Sequence, residues 1–389
     1  MADISMVPLI ELCDAKRGIT YGIVKVGDYI EGGVPVIRGG DIRNNRIVFN
    51  DEKRVTEEVS NQYSRTILVG GEIVINLISE PGYSALVPME MAGFNVSRDV
   101  ATVALNGVAN HEYVNWYLKS PAAIDWLAAR LSGSVTQKIN LSSLRELPVC
   151  LPTRSEQDAI AEVLGVLDDK IAANDTVTQK SDELANALWL NALDESEQVP
   201  LSSLARFVNG KAFTKDASGS GRVVIRIAEL NSGIGGSTVY NDIEVHDDHV
   251  ARPGDLLFAW SGSLTVARWF HPEAIINQHI FKVMPVTGRP LWMVNQAVLS
   301  MLAAFKAIAA DKATTMGHIQ RRHLDELAAI PSPRNVKGID ELMTGLWNRA
   351  LAAEVENLQL AQTRDELLPL LMSGKLRVKD AEQIVEKIA

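Results

Sequence analysis

Residues 155–193 run for 39 positions without a proline and, beyond Gly165, without a glycine. A stretch so free of breakers constrains the chain more than anything else in it, because its pattern has one regular outcome, a long helix. Ser155 can cap the amino end, with Glu156 and Asp158 well placed in the first turn. Ile160, Leu164, Leu167, Ile171, Asn174, Thr178, Ser181, Ala185 and Leu188 follow at steps of three or four. That is a heptad-like seam, apolar at its ends and polar in its middle. The rod would be roughly 58 Å long, so it needs a partner along its length.

A second seam supplies the partner: Ile339, Leu342, Leu346, Ala350, Ala353, Asn357, Leu360, Leu367 and Leu371. A shift of 183 residues lays Asn174 on Asn357, Gln179 on Gln362, Asp182 and Glu183 on Asp365 and Glu366, and Leu188 on Leu371. A duplicated unit is the reading preferred over two unrelated amphipathic helices. If a pseudo-two-fold axis relates the halves, the helices run antiparallel. Asn174 and Asn357, the midpoints of 155–193 and 338–376, would then face each other and hold the register by hydrogen bonding.

Residues 1–153 read as a mixed α/β block. The β-branched runs 34–38, 71–76 and 99–105 predict strands, and 111–119, 122–131 and 141–147 predict helices, the last capped by Asn140. Residues 199–334 repeat this order. Val199-Pro-Leu201 echoes Val7-Pro-Leu9, 222–226 echoes the strand ending at Arg38, 254–258 echoes 71–75, and Ile319 and Leu324 match Ile139 and Leu144. The expected organisation is therefore a block (1–153), a long helix (154–198), a second block (199–334), a second long helix (335–376) and a tail (377–389).

The net charge of −10 argues at first sight against a nucleic-acid partner. It is unevenly spread: 1–153 carries −3, 154–198 carries −8, 199–337 carries +4 and 338–389 carries −3. The acidity sits mostly on the helical segments, and a local basic face is what phosphate contact requires. No apolar run approaches the ~20 residues of a membrane span, and no signal peptide is evident. Cys13 and Cys150 fit no metal or redox spacing, so the reduced cytoplasm is the expected location.

No phosphate-binding loop, dinucleotide fingerprint, nucleophile elbow or amino-methyltransferase signature occurs. Six of the seven histidines lie in the second block, but His246/His249 and His318/His323 lack zinc-site spacing and read as loop or surface residues. Catalysis by this chain alone is not expected, and no cofactor or metal is assigned to it.

Leu151-Pro-x3-Glu156-Gln157-x2-Ile160, followed by Leu167-Asp168-Asp169-Lys170-Ile171, resembles the central conserved region of the specificity subunits of Type I restriction–modification enzymes. Arg364-Asp365-Glu366-Leu367-Leu368-Pro369, then Ser373-Gly374, resembles their distal conserved region. The second helix opens with Pro331-Ser-Pro-Arg-Asn in place of the Glu-Gln pair, so the two helix starts should dock differently. The resemblance implies a mixed α/β fold: two globular target recognition domains, joined by two long antiparallel helices in a coiled coil, with an internal pseudo-two-fold repeat. It further implies that each domain reads half of a bipartite site on double-stranded DNA. The helices would set the spacing and dock two modification subunits, which bind S-adenosylmethionine and methylate adenine. ATP-dependent restriction subunits would join when present. Glu156, Gln157, Asp365 and Glu366 are the expected docking residues.

For DNA contact, Arg43, Asn44, Asn45 and Arg46 form a turn that could read guanine or adenine, or could equally be a solvated turn. Ser134, Thr136, Gln137 and Lys138 in the first block, with Thr314, Thr315 and His318 in the second, suit phosphates and base edges. Arg321 and Arg322 beside them are expected on phosphate. Ser261 and Ser263, like the segment 80–83, follow matched strands and either enter a groove or form plain hairpin turns. Trp260 and Trp269 read as core. Two other classes stay open: an unrecognised DNA-modifying enzyme, whose mark is turnover by the chain alone, and a helix-mediated adaptor, whose mark is partner binding indifferent to the arginine turns.

Overall fold

The computed structural model describes residues 5–43, 45–133, 136–311 and 317–386. The fold is mixed α/β and divides into two compact units, Met1–Asp169 with Leu360–Ala389, and Lys170–Gln359. The division passes through both long helices, Arg154–Ala192 and Pro333–Met372, so each helix contributes residues to both units.

In the first unit a four-stranded antiparallel sheet has the order Ile19–Tyr21, Val100–Val103, Ile73–Asn76, Ser84–Leu86. Its two central strands are buried at every position, as continuous β-branched runs require when both faces are covered. A smaller sheet places Val34–Ile37 between antiparallel Arg54–Val55 and parallel Asn95–Val96. Ile37, Ile42, Leu68, Val74, Val96 and Val100 close the core between the sheets. Ser5–Pro8 pairs with Pro148–Leu151 as a separate ribbon.

The second unit repeats each piece. Ala205–Asn209, Ile280–Pro285, Leu256–Ala259 and Thr265–Arg268 form the large sheet in the same order. In the small sheet Arg222–Ile225 lies between antiparallel Val239–Asn241 and parallel Ala274–Ile276. Ser196–Pro200 pairs with Leu327–Pro331 as the ribbon. Gly22 and Gly210 occupy the same place in the two frames. A Cβ on Gly22 would stand 1.8 Å from the Val96 carbonyl oxygen, and one on Gly210 would stand 2.1 Å from that of Asn277. Only glycine permits that backbone approach.

Several sequence expectations change. The first long helix is capped by Thr153, not Ser155: Thr153 Oγ1 accepts the Glu156 N–H at 3.4 Å and the Glu156 carboxylate accepts the Thr153 N–H at 3.1 Å, a capping box. Asn140 stands at its helix start but makes no side-chain cap. The stretch Leu291–Ala310 is long and apolar enough to cross a membrane by length and composition, contrary to the reading above. Its Trp292, Met293, Val294, Ala297, Val298 and Phe305 pack into the core of the second unit, which accounts for its apolarity.

Within the second unit the two long helices run antiparallel. Asn335, near the start of one, donates to the Ala192 carbonyl at the end of the other (3.0 Å), and Lys170 pairs with Glu356 (3.4 Å). Asn174 and Asn357 stand at one level but do not bond each other. Asn174 Nδ2 donates to Glu356 (2.7 Å), and Asn357 Nδ2 donates to Asp175 (2.8 Å) and to the Ile171 carbonyl (3.2 Å). A carboxylate is the stronger acceptor, and one lies beside each asparagine. Ala350 is buried, with Ile171, Leu188 and Leu346 half-buried. Leu342, read as a seam residue, is 49% exposed, and Met343 at 1% takes the inward position. Residues 343, 347 and 350 stack at i, i+4 and i+7, which turns residue 342 outward. In the first unit Ile160, Leu164, Leu167, Leu367 and Leu371 are buried.

Candidate nucleic-acid interface

Each block gathers three loops at the end of a central strand. In the first block, the chain leaving Ile73–Asn76 meets a tight turn and a small-residue loop. Leu77 N–H donates to the Asp99 carbonyl (2.7 Å), Ile139 N–H to the Leu77 carbonyl (2.9 Å) and Ser79 N–H to the Gln137 carbonyl (3.2 Å), and Ile78 bridges Lys138. Ser79 is in the left-handed region at φ 71°. In the second block Trp260 N–H donates to the His279 carbonyl (3.1 Å), Ile319 N–H to the Trp260 carbonyl (3.1 Å) and Gly262 N–H to the Gly317 carbonyl (2.8 Å), and Ser261 bridges His318. Gly262 takes the same left-handed turn, at φ 63°.

The scaffolds match and the side chains do not. The first cluster exposes Glu80, Arg98, Thr136, Gln137 and Lys138; the second exposes Ser263, Gln278, His318, Arg321 and Arg322. Arg321 touches the Phe207 carbonyl at 3.4 Å and stays exposed. Backbone bonds hold the two turns rigidly, Arg98 N–H to the Ile23 carbonyl (2.9 Å) and Gln278 N–H to the Lys211 carbonyl (2.8 Å). Sequence reading missed Arg98 and Gln278. The 180-residue offset of Ile139 and Ile319 places Arg98 and Gln278 at equivalent positions. Ser261 is 6% exposed, so its side chain is not offered to a ligand, because its backbone bridge to His318 draws it inward. Asn44, Ser134, Thr314 and Thr315 lie outside the described residues. Trp269 is buried, and Trp260 is half-buried with its indole N–H on Asn209 (2.8 Å), so both serve the core.

The arginine turn corrects the sequence reading most. Arg43 is exposed, its Nε on the Gly40 carbonyl at 2.7 Å. Asn45 and Arg46 instead face the first long helix. Asn45 Nδ2 donates to Asp168 (3.0 Å), and Arg46 Nη2 donates to the Asp168 carbonyl (3.2 Å) and to Asp169 (3.1 Å). Arg364 from the second long helix donates to the other Asp168 oxygen at 2.9 Å, so the two motifs that carried the family resemblance meet here. Asn45 Oδ1 accepts from Asn115 (2.9 Å), and the Asn115 carbonyl accepts from Lys119 (2.9 Å). Burial pushes the Lys119 amine well below its usual range, Asp168 working against that and Arg364 with it.

Of the expected docking residues, Gln157 is 2% exposed. It is used internally, accepting from the Asn110 N–H and donating to the Pro152 carbonyl, each at 2.9 Å. Glu156 serves the helix cap and is exposed; Asp365 is paired with Arg364, and Glu366 accepts from Gln362 (2.9 Å). Gln179 donates to Glu183 at 2.7 Å in the matching place on the first helix. Among the described residues, no three His, Cys, Asp or Glu side chains stand together as a metal site.

Paired loop clusters on one scaffold thus carry different exposed polar groups. Residues 1–183 match the family model of the Type I restriction modification DNA specificity domain, and the chain is similar to specificity subunits of Type I restriction–modification enzymes. It is 26% identical over 150 residues to the Type I restriction enzyme EcoBI specificity subunit of Escherichia coli, a match covering 38% of this chain and 31% of that one. It is 22% identical to the MjaIX specificity subunit of Methanocaldococcus jannaschii, over 92% of this chain and 90% of that one. The crystal structure of the Type I restriction-modification system S subunit from M. genitalium shares the fold, with a TM-score of 0.58 at 16% identity, over 95% of this chain and 97% of that one.

Proposed function

We propose that this chain is the non-catalytic reader of a Type I complex in the cytoplasm. Each block reads one half of a bipartite DNA site through its loop cluster, and the long helices form a coiled coil that sets the spacing. The helices also dock two modification subunits, which carry S-adenosylmethionine, and restriction subunits using ATP where these are present. One observation carries the reading: the same three-loop cluster is built twice on equivalent strands, with a different set of exposed side chains each time. Two unlike half-sites read by one kind of frame would need that arrangement, because base edges are told apart by donor and acceptor pattern. Glu156 and Glu366, exposed on the helices, are the docking residues that fit this reading best.

The test is a map of methylated adenines in cells carrying the modification subunits, with and without this chain, and with residues 9–147 replaced by those of a relative. The expected result is a two-part motif that depends on the chain, of which the replacement alters one half. A replacement that altered both halves would overturn the two-reader account.

A further inference from the structure

Each block sends one arginine into carboxylates on the long helices, and the two arginines are not repeat equivalents. In the first unit it is Arg46, at the start of the strand Arg46–Ile47, on Asp168 and Asp169. In the second it is Arg268, at the end of the sheet-edge strand Thr265–Arg268. Its Nε and Nη2 grip Glu354 of the second helix at 2.7 and 3.0 Å, and its outer nitrogens reach Asp182 of the first helix at 3.4 and 3.5 Å. The guanidinium also lies 4.7 Å from the centre of the Trp347 ring, and the side chain is only 6% exposed. The 183-residue shift relates neither arginine to the other, so the duplication did not supply both contacts.

Apolar packing alone would let a block tilt on a helix with little loss, because apolar contact is non-directional. A bidentate guanidinium–carboxylate pair adds a fixed geometry. Burying such a pair gains little net stability over a hydrophobic substitute. What it supplies here is direction. We propose that Arg268 and Arg46 are positioning residues: each fixes the angle at which its block leaves the helices, and so helps to set the spacer length that the complex accepts. Arg268, buried and held by both helices, is the stiffer joint, and Arg46, 47% exposed, the softer.

This inference rests on the bipartite reading, and its test separates the two. Methylated sites are mapped for the parent chain, for Arg268→Met with Glu354→Leu, for Arg268→Lys, and for Arg46→Met, each with its partner subunits. The paired variant leaves no unpaired charge on Glu354, so it should melt close to the parent and keep both half-sites. Modification at spacers one base pair off should rise by about tenfold. Arg268→Lys keeps the charge but loses the fork, so it should widen the spacer distribution too, and Arg46→Met should widen it less. A folded paired variant with the parent's single spacer length overturns the proposal. If the paired variant does not fold, an unchanged distribution in Arg268→Lys overturns it instead, and a widened one supports it. A parent chain that yields no two-part motif sinks the bipartite reading, and this proposal with it, before any variant is compared.

Discussion

Replacing Asp168 with alanine is the most informative single change in the first unit. The side chain is 8% exposed and accepts two short bonds, from Arg364 at 2.9 Å and Asn45 at 3.0 Å. The Arg46 contact adds little, since its side-chain distance is 3.5 Å, the arginine is half-exposed, and its bond to the Asp168 carbonyl would survive. Truncation therefore removes one strong ionic bond and one hydrogen bond and leaves the largely buried Arg364 guanidinium with Asp365, at 2.9 Å, as its remaining carboxylate. Leaving a buried charge unpaired costs about 3–5 kcal/mol, and the retained Asp365 places this loss at the low end of that range. At roughly 1.4 kcal/mol per decade, amide protection in the first unit should fall by about two orders of magnitude. Hydrogen exchange read by mass spectrometry follows this unit by unit, with the strand Leu256–Ala259 as the internal control. Peptides covering the hairpin 42–47 and the start of the first long helix should lose protection while the control keeps it. A cycle with Arg364→Ala should show that most of the cost is shared between the two residues. A loss below about 1 kcal/mol, or one spread equally over both units, would refute the view that Asp168 is the buried anchor of the first block.

Three further outcomes are expected. Gly22→Ala and Gly210→Ala should each destabilise their own unit by about 3 kcal/mol or more in denaturant unfolding, because the added carbon meets backbone rather than a yielding side chain; a cost within experimental error would mean the strands can part. Arg321→Ala with Arg322→Ala should weaken binding to all duplexes and flatten the salt dependence of log K by about 1 per arginine; an unchanged slope would remove both from the interface. His271 packs against the rings of Trp269 and Phe270, and burial holds its pKa below the ordinary 6.5. Below about pH 6.5 the unfolded chain takes up a proton that the folded one resists, so stability of the second unit should fall as pH drops through that range. His271→Phe should flatten the profile, and a parent whose stability rises on acidification there would contradict the assignment.

The long helices and the block order were legible in the sequence because both rest on local periodicity and on a duplication that a shift exposes. What was not legible depends on distant partners. Nothing near Arg46 says that Asp168, more than a hundred residues away, will hold it against the helix, while Arg43, three positions earlier, turns back on its own loop. Gln157 looked like a docking group until the Asn110 N–H claimed it. Leu342 and Met343 are adjacent apolar residues, and helix phase, which three-or-four stepping leaves open by one position, decided between them. Asn174 and Asn357 were placed at one level by the repeat, but their partners depended on the carboxylates beside them.

The ribbons have a consequence of another kind. Val7 sits opposite Val149, and Val199 opposite Ala328, so in each block the chain enters and leaves through a single pair of hydrogen-bonded strands. Everything between those strands is topologically a cassette whose two ends are already clasped. Cutting at 8 and 148, or at 200 and 327, would lift out a whole block and leave the clasp behind to receive another. A gene with such splice points can exchange one block in a single recombination event, while the ribbon strands and the helix seam residues stay as they are.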